Sequence, residues 1–124
     1  MATTIVPITL NLLPQPLDIC ITRKDAFTFG FELTKDGSPI DLTDDTFLLT
    51  VNEAADASGA ELFQLSESNT PDATGIVTFL PSVVDLTQAP ATYFFDVQRT
   101  ASPSGEIRTI IKGEFVISAD ITDP

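Results

Sequence analysis

Residues 27–34 read FTFGFELT. Phe27, Phe29, Phe31 and Leu33 fall at every second position, with Thr28, Gly30, Glu32 and Thr34 between them. A period of two puts each set on its own face of a pleated strand, so the four large apolar groups all point into a core. A helix would spread them around its circumference. Lys35-Asp36-Gly37-Ser38 follows, and Asp-Gly tolerates the positive φ of a tight hairpin turn.

The same signature recurs in both directions. Leu17–Thr22 alternates, with Leu17, Ile19 and Ile21 on one face and Asp18, Cys20 and Thr22 on the other. Phe47, Leu49 and Val51 mark another strand; 52–60 reads as a loop; Leu62, Phe63 and Leu65 mark a short strand; 66–74 reads as a loop; 75–80 is a strand. Ser82-Val83-Val84-Asp85 spells a capping box for one short helical turn before Pro90. Tyr93, Phe95 and Val97 share a face in 91–100, 101–105 is a hairpin loop, and 106–118 is β-branched with Gly113 as an expected bulge or kink. Short strands separated by turns predict an all-β, Ig-like β-sandwich of about seven or eight antiparallel strands. The lack of alternating long helices excludes a doubly wound parallel sheet.

The N-terminal stretch is different. Ile5, Val6, Ile8, Leu10, Leu12 and Leu13 are apolar, while Pro7, Pro14 and Pro16 deny a helix or a central strand. Residues 1–16 therefore read as an extended arm or edge strand, and 17–124 as the sandwich domain. The arm either forms the domain's own first strand or lies across a neighbouring subunit. With no basic n-region, this stretch is not expected to be a signal peptide or a spanning helix.

Composition limits the chemistry. The 124 residues hold 18 acidic and 6 basic side chains, a formal charge of -12, and no His or Trp. Such a chain repels phosphate backbones and anionic lipid, so neither nucleic acid nor membrane is an expected partner. His-based triads and His metal sites are excluded outright. Cys20 has no His to activate it and reads as a small packing residue. Asp41, Asp44 and Asp45 could suggest calcium, but their spacing misses the EF-hand loop, and turn-forming carboxylates are the plainer reading. A carboxylate pair for sugar hydrolysis would lack its usual aromatic platform, since there is one Tyr. No catalytic residue, cofactor or metal is expected, and the chain reads as a non-enzyme.

The informative surplus is apolar. Leu48, Phe94, Ile110 and Val116 alternate with core positions and so should face outward, where a sandwich is ordinarily polar. Together with the arm residues Ile5, Val6, Ile8, Leu10, Leu12 and Leu13 they form the candidate interface, provided that they gather into a patch.

The segment DICITRKDAFTFGFEL with the later DGSPIDLT resembles small phage virion domains typified by the N-terminal domain of baseplate upper proteins. The matching elements are Arg23-Lys24-Asp25, the alternating Phe residues, Asp36-Gly37 through Ile40-Asp41-Leu42-Thr43, Tyr93-Phe94-Phe95-Asp96-Val97-Gln98 and Gly113-Glu114-Phe115-Val116-Ile117, spanning about residues 17–118. Lys24 and Asp44 stand where those domains usually carry Gly. The resemblance implies a virion structural protein without enzymatic activity, made in the host cytoplasm, that binds other virion proteins; the outward apolar set and the arm add the expectation of a homo-oligomer or a permanently bound partner. An acidic β domain with an apolar arm also looks like a capsid decoration (cement) protein. The sequence reading leans to decoration, with the major capsid protein as partner. A tail or baseplate adaptor, and then a receptor- or carbohydrate-binding module, are the alternatives.

Overall fold

The computed structural model describes residues 3–10, 13–22, 28–53, 61–81 and 89–118. Ten strands run along these residues: β1 (Thr3–Thr9), β2 (Gln15–Pro16), β3 (Ile19–Thr22), β4 (Thr28–Lys35), β5 (Ser38–Pro39), β6 (Thr46–Asn52), β7 (Glu61–Ser66), β8 (Ile76–Phe79), β9 (Ala91–Thr100) and β10 (Ile107–Ser118). No helix occurs among the described residues. The Ser82–Asp85 capping box, Phe27, Leu12 and the Arg23-Lys24-Asp25 step lie outside them.

β4 carries the Phe alternation and organises one sheet, with β1 on one side and β8 and β5 on the other. The second sheet runs β7-β6-β9-β10, with β2 and then β3 along the far edge of β10. The sheets pack face to face as a sandwich, as the alternation implies. Phe31, Leu33, Val77 and Phe79 of the first sheet meet Leu49, Val51, Val97, Ile111 and Phe115 of the second, all nearly inaccessible to solvent. Edge-to-face packing joins Phe31 to Phe79, with centroids 6.1 Å apart, and Phe63 to Phe115 at 5.9 Å. Burying each such side chain contributes roughly 1.5–3 kcal/mol before the entropy of ordering is set against it.

The expected antiparallel order needs correction at the N-terminus. β1 pairs with β4, and β2 and β3 pair with β10, all in parallel. The sequence showed one Pro-punctuated stretch. The chain instead runs up the edge of the first sheet and crosses to the edge of the second. Pro7 sits on edge strand β1, where a missing N–H costs little.

Turn chemistry fixes the hairpins. Asp36 and Gly37 both take positive φ, at 52° and 80°, as a type I′ turn requires. Asp44 has φ 67°, in the left-handed region that glycine enters most readily. Between β7 and β8, the Asn69 side chain stands in for a strand. Its Nδ2 donates to the Ile76 carbonyl at 2.9 Å, and its Oδ1 accepts from the Thr78 amide at 2.9 Å. The edge of β8 is thereby satisfied without a further strand.

The irregularities of β10 also depart from expectation. The register slips between Thr109 and Ile111, so the bulge lies at Ile110 and not at Gly113. Gly113 serves a close approach. The chain leaves β2 at Leu17, bows over Gly113 and rejoins β10 as β3. A Cβ on Gly113 would lie 2.6 Å from the Leu17 carbonyl carbon and closer still to its oxygen.

Candidate binding surface

Register decides which apolar residues come together. Leu48, Phe94 and Val116 do lie half-buried on the outer face of the second sheet. Their cross-strand partners are mostly polar: Gln98 and Ser66 flank Leu48, Glu114 and Asn52 flank Phe94, and Val116 lies between Thr92 and Cys20. Asp96, paired with Thr50 and Lys112, falls between the levels of Leu48 and Phe94. Leu48 thus stands alone among polar groups, while Phe94 and Val116 are diagonal neighbours across β9 and β10 and form only a small apolar spot. Ile110, expected to face outward, is buried at 8% exposure. The bulge beside it lets Ile110 and Ile111 both turn inward, which strict alternation could not foresee.

The arm residues separate as well. Ile8 is 2% exposed and belongs to the core of its own chain, and Val6 and Leu10 pack against that core. Ile5 is exposed and Leu13 strongly so. β1 forms seven register pairs with β4, and the Leu10 amide continues the ladder to the Thr34 carbonyl at 2.9 Å. This segment therefore pairs along one edge with the chain that carries it, as a terminal strand of the first sheet.

Leu10 and Ile110 instead meet at one end of the sandwich. There the ends of β1, β4 and β9 and the start of β10 surround a cleft of about 1150 Å³. Ile40 and Pro14 also line it, together with the charged side chains of Lys35, Asp36, Arg99, Glu106 and Arg108. No sequence motif marks this site, because its parts come from four separate segments.

The cleft is rigidified by a residue read earlier as a turn former. Asp45 is 4% exposed. Its Oδ2 accepts from Arg99 Nε at 2.8 Å and lies 2.7 Å from Arg99 Nη2, and its Oδ1 accepts from the Ser102 amide at 2.8 Å. A buried carboxylate needs such full pairing, and the result pins the β9–β10 loop to the start of β6. Asp41 does form the expected turn, its Oδ1 accepting from the Thr43 amide at 3.0 Å and hydroxyl at 2.6 Å. Asp72 repeats the arrangement with Thr74. These bonds hold both carboxyls below the usual Asp range. The calcium reading of Asp41, Asp44 and Asp45 is not supported by this arrangement, since Asp41 serves its turn and Asp45 its Arg. Among the described residues no cluster of three or more His, Cys, Asp or Glu side chains could hold a metal. Cys20 is exposed on β3, which corrects its reading as a packing residue. It takes the outward phase of the Leu17–Thr22 alternation.

No family model and no curated protein sequence matches the chain. Among solved structures, the N-terminal domain of phage TP901-1 ORF48 superposes with a TM-score of 0.59 at 8% identity, covering 95% of this chain and 99% of that one. CopC from Methylosinus trichosporium OB3b gives a TM-score of 0.49 at 13% identity, covering 86% and 89%. The chain thus shares, over nearly its whole length, the fold of a phage protein domain.

Proposed function

We propose that this chain is a non-enzymatic structural protein of a phage particle that holds other virion proteins, at a tail or baseplate position. The observation that carries the reading is the full-length fold likeness to the N-terminal domain of phage TP901-1 ORF48. It agrees with the sequence resemblance to baseplate upper protein domains, which rests on different information. The absence of His and the single Tyr support a binding role over a catalytic one. Capsid decoration drew much of its appeal from a free apolar arm, and β1 employs that arm on its own β4. The partners are accordingly tail or baseplate proteins, and the acidic surface suits contact with protein and not with packaged DNA.

Gold-labelled antibody against the chain, applied to purified particles, tests the position. Label at the tail or its tip is expected. Label spread over the head would establish the decoration reading in its place, and unlabelled particles, with the denatured chain still detected by the antibody, would overturn the virion assignment.

A further inference from the structure

We propose that the outer edge of β1 is a self-pairing surface that Pro7 holds closed. The partner it fits is a second copy of the same strand, antiparallel and two-fold symmetric about residue 7. The inference does not depend on the virion reading.

The phase of the backbone places the block. β1 is a terminal strand, and among the described residues it pairs with β4 alone. The N–H and C=O of one strand residue point to the same side, and successive residues point to opposite sides. The Leu10 amide donates to the Thr34 carbonyl at 2.9 Å, and the Ile8 carbonyl accepts from the Thr34 hydroxyl at 3.4 Å. Val6, Ile8 and Leu10 therefore turn their backbone groups toward β4, and Ile5, Pro7 and Thr9 turn theirs to the open side. The missing N–H of Pro7 falls at the centre of that open row.

The edge needs such a block because it lacks the usual one. Sheet edges are commonly protected by charged side chains, Lys above all. Residues 1–17 contain no Asp, Glu, Lys or Arg, although those types make up 19% of the chain. Apart from Pro7, residues 3–9 are all β-branched, and Ile5 is 39% exposed. An uncharged, β-branched edge is the signature of a segment that templates its own copy. The net charge of -12 does not guard it. The nearest carboxylate on the ladder, Glu32, stands one strand back from the edge, opposite Pro7. Two copies of Glu32 in the paired form would lie three strand spacings apart, about 14 Å, beyond the ~8 Å reach of charge at physiological salt.

Self-complementarity names the partner. About a two-fold axis at residue 7, Ile5 faces Thr9 of the second copy, Val6 faces Ile8, and residue 7 faces itself, so apolar and β-branched groups meet throughout. A residue with an N–H at position 7 would exchange a pair of hydrogen bonds across the axis. Proline removes both and puts its ring where the two hydrogens would lie. The bonds that remain, at Ile5 and Thr9, flank a broken centre.

Sedimentation equilibrium at physiological salt tests this on the purified full chain and two variants. Pro7 is exposed and gives β4 neither backbone group, so both substitutions should leave the fold intact. Pro7→Val restores the N–H and should form a dimer with a dissociation constant at least about tenfold below that of the unaltered chain. Pro7→Lys restores the same N–H but sets two ammonium groups opposite each other at the axis, and should stay monomeric. Hydrogen exchange of the unaltered chain checks the edge itself: the Ile5 and Thr9 amides should exchange quickly, and those of Val6, Ile8 and Leu10 slowly. A folded Pro7→Val that remains as monomeric as the unaltered chain would overturn the proposal. So would Pro7→Lys associating as strongly as Pro7→Val, or slow exchange at Ile5 and Thr9, which would mean that the edge is already covered.

Discussion

Replacing Gly113 by Ala should be strongly destabilising, although alanine ordinarily favours a strand interior over glycine. Restricting the unfolded chain would contribute about 0.4–1 kcal/mol in favour of the variant if the site were compatible. It is not compatible. The added Cβ would stand 2.6 Å from the Leu17 carbonyl carbon, whereas non-bonded carbons settle at about 3.5–4.0 Å. The bow at Leu17 must therefore lift by about 1 Å or more. Lifting it strains the Leu17 amide bond to the Lys112 carbonyl, now 3.1 Å, and the Glu114 amide bond to Asp18 Oδ1, also 3.1 Å. Each is worth about 1 kcal/mol net. Leu17 and Ile19, both packed against the core, lose part of their burial as well. A net loss of about 3 kcal/mol follows, which in a chain of this size lowers Tm by roughly 10 °C. Differential scanning calorimetry of the two proteins measures it directly. An unchanged or raised Tm would show that the Leu17 bow does not press on β10 as described.

Deleting residues 1–10 removes buried Ile8 and the whole of β1, so the isolated chain should lose about 3 kcal/mol in urea titration; an unaltered midpoint would mean that the segment is not the domain's own strand. Asp45→Ala should cost about 3 kcal/mol, because Arg99 and the Ser102 amide lose their shared acceptor, and a loss below about 1 kcal/mol would contradict the anchoring role. Asp41 and Asp72 titrate low in the folded chain, so their contribution to stability is complete above their unfolded pKa and is lost as pH falls through the folded one; Asp96, raised by burial despite Lys112, acts in the opposite sense and favours folding as pH falls. Carboxyl-carbon NMR titration should show Thr43→Val and Thr74→Val each raising the pKa of the neighbouring Asp, and unchanged values would dismiss those hydrogen bonds. Leu48 stands apart and only Phe94, Val116 and Cys20 adjoin on the outer face, far less apolar area than a stable self-interface needs, so sedimentation should show a monomer at micromolar concentration; a stable dimer or trimer would restore the self-association read from the sequence.

The sandwich was legible because its information is local. Alternation at Phe29, Phe31 and Leu33 or at Phe47, Leu49 and Val51 states which face is buried, and Asp36-Gly37 states where the chain turns. What could not be read depended on register and on contacts between distant segments. Nothing near Asp45 announces Arg99, 54 residues away. Ile110 and Ile111 look alike in sequence until a bulge turns both inward. Asn69 looked like a loop former, yet its amide pairs with β8 as a peptide unit would. Alternation puts Leu48, Phe94 and Val116 on one face, but which of them adjoin is a question of pairing, and the pairing brings Phe94 beside Val116 while leaving Leu48 apart. The cleft was invisible for the same reason, being assembled from four segments that share no motif.

If this chain is a building block of a phage particle, quantitative mass spectrometry of density-purified particles, released from the host that carries the gene, should find its peptides at a fixed, salt-resistant ratio to the other virion proteins in every preparation. Absence of the chain from particles, or a trace amount that washes away while the protein accumulates in the host lysate, would show that it is not part of the virion.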